Sequence, residues 1–213
     1  MAAGRSGQPA TTRRGSRAGG HSGSQRRSEL LGIAAELFAT RGYAQTTVRD
    51  IADEAGILSG SLYHHFSSKE EMLDEILREF LDPLLERFTA IEKQGENPEQ
   101  VLDELVRHSF AAIHASPVAV ALYQNELTMF SRQPGFEYVG QTGKKIEKIW
   151  LTVLKAGQKS GVFRPDVDVH LTYRFIRDAI WSTVRWYRPR GKYKHEAVAV
   201  QFLLVLHGGL HTA

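Results

Sequence analysis

The chain has 213 residues, no cysteine, 42% hydrophobic and 24% charged residues, and a net charge of +3. That length holds one large or two small domains with a sizeable core, and the missing cysteines exclude disulfides, thiol nucleophiles and Cys-ligated zinc. No apolar run approaches a membrane span, and the Arg-, Gly- and Ser-rich N-terminus lacks the apolar stretch of a secretory signal, which fits a cytoplasmic location.

The charge is unevenly placed. Arg5, Arg13, Arg14, Arg17, Arg26 and Arg27 precede the first acidic residue, Glu29, and setting those six aside takes the body of the chain from +3 to −3. Residues 1–24 hold almost nothing to bury and cannot offset the entropy of ordering, so a disordered Arg-bearing arm is expected there. Such an arm either tracks DNA phosphates or the minor groove or is a solubilising tail.

From Gln25 the pattern turns helical, with Leu30, Ala34, Leu37 and Phe38 on one face and Gly42 as the stop. Val48, Ile51, Ala52 and Ala55 give a second, short amphipathic helix, closed by Gly56. Beyond it Leu62 and Phe66 point inward and Ser59, Gly60, Ser61, Tyr63 and His64 are left facing out. Two short helices at a steep angle, the second showing small polar and aromatic groups, predict a helix-turn-helix suited to a DNA major groove. Ser67 or Ser68, with Glu70 or Glu71 three positions on, caps a long helix running to Phe88, and Pro83 in its interior predicts a kink.

The remainder also reads as helix after helix. Pro98 opens one that reaches about His114, Ser116-Pro117 opens the next, and Pro134-Gly135 breaks the chain before a helix ending near Ser160-Gly161. Asp168 begins a helix stopped by Pro189, and a final apolar helix carries Val198, Phe202, Val205, Leu206 and Leu210. The fold class is therefore all-α, divided into the arm (1–24), an N-terminal helix-turn-helix DNA-binding domain (25–70) and a C-terminal domain (71–213), with the boundary inside a continuous helix.

Thr46–Leu73, TTVRDIADEAGILSGSLYHHFSSKEEML, closely resembles the DNA-binding signature of the TetR family of transcriptional regulators. The shared features are the paired Thr, the IA..AG turn, the G.LY.HF recognition helix and the SKEE start of the next helix. The resemblance implies a three-helix reader, a six-helix ligand-binding and dimerisation domain, and a homodimer that binds a near-palindromic double-stranded operator. It departs at Leu58, where relatives usually carry a polar cap, and at Ser59, where many carry Lys; both lessen charged reading of base edges. Val162–Pro189, VFRPDVDVHLTYRFIRDAIWSTVRWYRP, is similar to the actinobacterial KstR-type repressors of late, C and D ring, cholesterol catabolism. That narrower likeness implies release from DNA by a CoA thioester of a ring-degradation intermediate. An activator or architectural DNA binder without a small-molecule switch is the alternative.

Within the reader, Thr46 or Thr47 at a helix N-terminus is expected to hold a phosphate, and Lys69 a second one. Tyr63 and His64 are expected to reach phosphates or base edges, with Ser59 and Ser61 beside them and Gly60 permitting close approach. Arg49 either meets phosphate or pairs with Asp53; His65 is expected to be a buried, satisfied histidine. For the ligand, Arg177, Trp181, Arg185 and Arg188 share one predicted helical face, an indole bracketed by guanidiniums that suits an anion joined to a flat group. The same stripe equally suits a subunit interface. Asp178 is expected to pair with Arg174. Apolar walls are available from Phe110, Tyr123, Met129, Phe130, Phe136, Tyr138 and Trp150, and Lys144, Lys145 and Lys148 either meet phosphates or form a solvated face.

Enzymatic chemistry finds no footing. Gly140–Lys145 lacks the spacing and the terminal Ser or Thr of a P-loop, and no Ser-centred nucleophile motif occurs. His207 and His211 stand at i, i+4, but no carboxylate follows them in sequence, so neither a metal nor a cofactor is expected.

Overall fold

The computed structural model describes residues 19–130 and 133–211. Among them are nine α-helices: α1 (Gly19–Arg41), α2 (Val48–Glu54), α3 (Ser59–Leu62), α4 (Lys69–Gln94), α5 (Pro98–Ala115), α6 (Pro117–Phe130), α7 (Glu137–Lys159), α8 (Val169–Ser182) and α9 (His195–Leu210). A 3-10 turn, Thr183–Arg185, follows α8. One isolated bridge joins Phe163 to His211. No single described helix is long and apolar enough to cross a membrane.

The first helix begins earlier than its periodicity suggested, so residues 19–24 belong to α1 and not to an arm. Arg5, Arg13, Arg14 and Arg17 lie outside the described residues. Arg26 and Arg27, counted with the arm by charge, are fixed to the fold. Arg26 bonds Glu29 and donates to the Ala55 carbonyl at 3.1 Å. Arg27 pairs with Glu75 and with Glu71 at 3.1 Å, and lies 4.2 Å over the Phe66 ring. With α1 anchored there, adding turns backwards costs little.

Gly42 and Gly56 take φ of +90° and +67°, which ends α1 and turns α2 into α3. Leu30, Ala34, Leu37 and Phe38 of α1 are buried with Ile51, Leu62 and Phe66, closing a small core against Met72 and Leu73 of α4. Two apolar stripes run along α4, and it is held between α1 on one side and α5, α6 and α7 on the others. Pro83 is exposed on α4, and the helix runs through it to Gln94, one backbone donor poorer.

The caps resolve what the sequence left open. Ser68 caps α4 by accepting from Glu71 N at 3.1 Å, while the Glu71 carboxylate reaches back to Ser67 N and Oγ, both at 2.6 Å. Asn97 and Asp168 cap α5 and α8. The eighth helix stops seven residues short of Pro189. There the Ser182 and Thr183 hydroxyls bond back to Ala179 O (3.1 Å) and Ile180 O (2.7 Å) and compete with the backbone for the last carbonyls.

Candidate functional site

The reader presents the expected face. Tyr63 and His64 are exposed just after α3, Ser59 and Ser61 are half-buried, and Leu62 turns in beneath them. A Cβ on exposed Gly60 would meet nothing of this chain within 4 Å, so the protein's own packing does not demand glycine there. Leu58 is 79% exposed and caps α3 with no side-chain bond, as its apolar side chain requires. Arg49 points to solvent with Asp53 at 3.7 Å, a loose surface pair of little energetic weight. His65 is half-buried rather than buried.

The two threonines divide the roles assigned to them. Thr46 is buried, its hydroxyl 2.9 Å from Gly42 O, so it anchors the α1–α2 loop and presents nothing to a phosphate. Thr47 is the exposed N-cap of α2, accepting from Asp50 N at 3.1 Å and donating to the Asp50 carboxylate at 2.6 Å. Those bonds hold the Asp50 carboxyl below its usual range, and its negative charge already sits at the positive end of α2.

Lys69 is also engaged. Its ammonium donates to Tyr43 O and Thr46 O, each at 2.8 Å, and lies 4.1 Å from the Tyr43 ring centroid. Tyr43 in turn donates its hydroxyl to Glu70 at 2.9 Å and its backbone N–H to Glu126 of α6 at 3.1 Å. Burial beside the Glu70 carboxylate pushes the Tyr43 phenol well above its ordinary range. The loop before α2 is thus held from α4 and α6 together, a link that sequence spacing gave no sign of.

Two cavities flank Trp181. One, of about 340 Å³, opens between α4, α6, α7 and α8, and its walls include Leu81, Leu84, Tyr123, Lys144, Tyr173 and Arg177. The other, of about 510 Å³, is lined by Ala121, Gln124, Asn125, Asp178, Trp181, Ser182, Val184 and Arg185. Gln124, Asp178 and Trp181 belong to both. The indole packs edge-on against Phe80 at 6.1 Å, which fixes the partition between them. Burial raises the Tyr123 phenol and pushes the Tyr173 phenol up to about 12, so both hydroxyls stay neutral donors.

Several expectations change here. The stripe is shorter than it read, because Arg185 falls in the 3-10 turn and Arg188 folds onto the Tyr187 and Arg185 carbonyls. Asp178 pairs with Arg177 at 2.8 Å and not with Arg174. Phe130 is buried and stacks on Phe136 at 6.0 Å, and Trp150 is buried edge-on to Phe88 at 5.9 Å and beside Tyr173. Neither lines either cavity; both are core. Phe110 packs on Phe202, and Tyr138 lies under Arg78 of α4. The Met129 side chain lies outside the described residues. Lys145 and Lys148 are exposed away from both cavities, while Lys144 lines the smaller one. Gln124 and Asn125, which sequence reading passed over, carry polar atoms into the larger.

The family described as "Bacterial regulatory proteins, tetR family" matches residues 30–76, and "Tetracyclin repressor-like, C-terminal domain" matches residues 95–210. The HTH-type transcriptional repressor KstR2 of Mycobacterium tuberculosis is 51% identical over 185 residues, 87% of this chain and 92% of the relative. That of Rhodococcus jostii is 51% identical over 187 residues, 88% and 92% of the two chains. The solved structure of the ketosteroid transcriptional regulator KstR2 of M. tuberculosis superposes with a TM-score of 0.85 at 50% identity, covering 88% of this chain and 96% of that one. The chain belongs to the tetR family of bacterial regulatory proteins, as a DNA-binding transcriptional regulator of the KstR2 repressor type.

Proposed function

We propose that the protein is a cytoplasmic homodimeric repressor of a near-palindromic operator, released by a CoA thioester of a steroid-ring degradation intermediate. The observation that carries this reading is the pair of cavities around Trp181, with Arg177 and Lys144 on one side and Arg185 on the other. Guanidinium groups suit the phosphates of a nucleotide-bearing thioester, the indole suits a flat group, and Leu81, Leu84 and Tyr173 suit a fused-ring fragment. The relative of known structure is called a ketosteroid transcriptional regulator, which agrees with such an effector.

The reader faces DNA through Tyr63, His64, Gly60 and Thr47, with Ser59, Ser61 and Arg49 at its margins. Two such readers a helical turn apart, about 34 Å, engage successive major grooves. Linkage then requires the effector to bind the DNA-free dimer more tightly than the operator-bound one.

Fluorescence anisotropy of labelled operator, titrated with steroid-derived acyl-CoAs and with their free acids, tests the proposal. Release by a thioester and not by its acid is expected. Arg177→Ala with Arg185→Ala should raise the effector concentration for half-release roughly 10–100-fold, the weight of lost charge-assisted hydrogen bonds, and leave operator affinity intact. No release by any thioester would favour a DNA binder without a small-molecule switch.

A further inference from the structure

The cluster that the DNA and effector sites leave unused lies where α9 ends against the start of α5. His207 lies in the last turn of α9, and His211, four residues on, is the extended C-cap just beyond it; Glu99 and Asp103 occupy i and i+4 on α5 opposite them. One donor atom each from Glu99, His207 and His211 falls within 4.8 Å of the others. No carboxylate follows the histidines in sequence; the fold supplies two from more than a hundred residues upstream.

The hydrogen bonding tells how these groups are set. His207 Nε2 lies 2.6 Å from Asp103 Oδ1, and the second Asp103 oxygen lies 3.8 Å from Arg107. With Nε2–H donated to Asp103, the lone pair of His207 stands on Nδ1. That Nδ1 is buried with no hydrogen-bond partner, and so is His211 Nε2, 3.4 Å from Glu99 Oε1 but misaligned for a hydrogen bond. Buried imidazole nitrogens are costly to leave unpaired. The two ring centroids lie 4.5 Å apart, tilted at 35°, and the buried Phe163 stacks on His211, next to which Arg164 N donates to Leu210 O at 2.8 Å.

We propose that Glu99, His207 and His211 bind a divalent transition metal of the Zn²⁺ class, with Asp103 as the positioning residue for His207. Two imidazoles and one carboxylate make a three-ligand set that leaves a fourth tetrahedral position to water, and a carboxylate behind a ligating histidine fixes its tautomer and orientation. Nitrogen donors select against Mg²⁺ and Ca²⁺. The four side chains are 18–40% exposed, open enough for a metal to enter and for rotation to bring the donors to bonding distance. The last turn of α9 contains Gly208 and Gly209, poor helix formers. A metal held by His207 in that turn, by His211 at the C-cap and by Glu99 fastens the end of α9 to α5.

The test uses tag-free, full-length protein stripped with EDTA and titrated with Zn²⁺ by calorimetry, with Mg²⁺ as comparator. One Zn²⁺ per chain is expected, none for His207→Gln/His211→Gln, and a 10–100-fold weaker site for Asp103→Asn. Zinc at a hundred times its dissociation constant should raise Tm by roughly 5–10 °C in the wild type alone. Because the double variant also removes the His207–Asp103 hydrogen bond and so lowers stability by itself, Glu99→Gln serves beside it: weaker zinc binding with an unchanged metal-free Tm supports the site. Equal zinc uptake by wild type and both variants, or no uptake by wild type, overturns it and leaves a plain His207–Asp103 hydrogen bond.

Discussion

Lys69 commits two of its three N–H donors inside the fold, to Tyr43 O and Thr46 O. Those carbonyls belong to the loop that sets Thr47 at the head of α2, so the ammonium positions the reader from behind. Lys69→Ala leaves both carbonyls without their charged donor and should cost about 2–3 kcal/mol of stability, from values typical of such bonds discounted for partial exposure. Operator affinity should fall for every sequence alike, with the slope of log K against log salt unchanged. Anisotropy titrations at several salt concentrations check this; a slope smaller by about one unit would restore the direct phosphate contact that the sequence pattern suggested. The pattern was silent here for a physical reason. Thr46 and Thr47 are alike in sequence, and only the buried acceptors Gly42 O and Leu37 O separate an anchor from a cap. Tyr63, His64 and Gly60 were legible because their exposure follows from local period alone.

Among the helices, α6 joins the two halves of the molecule. Tyr123, Gln124 and Asn125 give it a share in both cavities, and the next residue, Glu126, accepts from Tyr43 N at 3.1 Å. An effector that shifts α6 therefore pulls on the loop that Lys69 braces, which gives the proposed release a mechanical route. Glu126→Ala removes that link without touching either cavity wall. Effector affinity for the free protein should stay within about twofold, while the ratio of effector affinities with and without operator shrinks toward one. Calorimetry on the free protein and on the operator complex measures both, and an undiminished ratio would exclude this route. Helix boundaries set by Gly and Pro were readable in the chain, as Gly42, Gly56 and Pro98 illustrate. The early stop of α8 was not, because the hydroxyls of Ser182 and Thr183 have the same sequence signature whether they bond back to the helix or face water.

At the scale of the whole molecule, α8 and α9 leave an apolar face uncovered. Leu171 and Phe175 on α8 and Val200, Leu204 and Val205 on α9 are 44–71% exposed, while Ala199, Leu203 and Leu210 of the same α9 are buried against the body. A helix apolar on both sides is built to be covered twice, so its sequence told of burial but not of which residues meet a second subunit. On a regulator of a family that acts as dimers, a patch of this kind is the expected dimer face. Leu204→Glu with Phe175→Glu places four carboxylates at the centre of that contact in the dimer, where desolvation and like-charge repulsion oppose association. Sedimentation equilibrium should find monomer at micromolar concentration, with helical content retained because both positions face outward. Loss of the linked second half-site should weaken operator binding about 10²–10⁴-fold, and a half-site duplex, which asks for one reader only, should be bound as tightly by the variant as by the wild type. A variant that stays dimeric would move the interface off α8 and α9, and the stripe from Arg177 to Arg185 would then have no part in joining subunits.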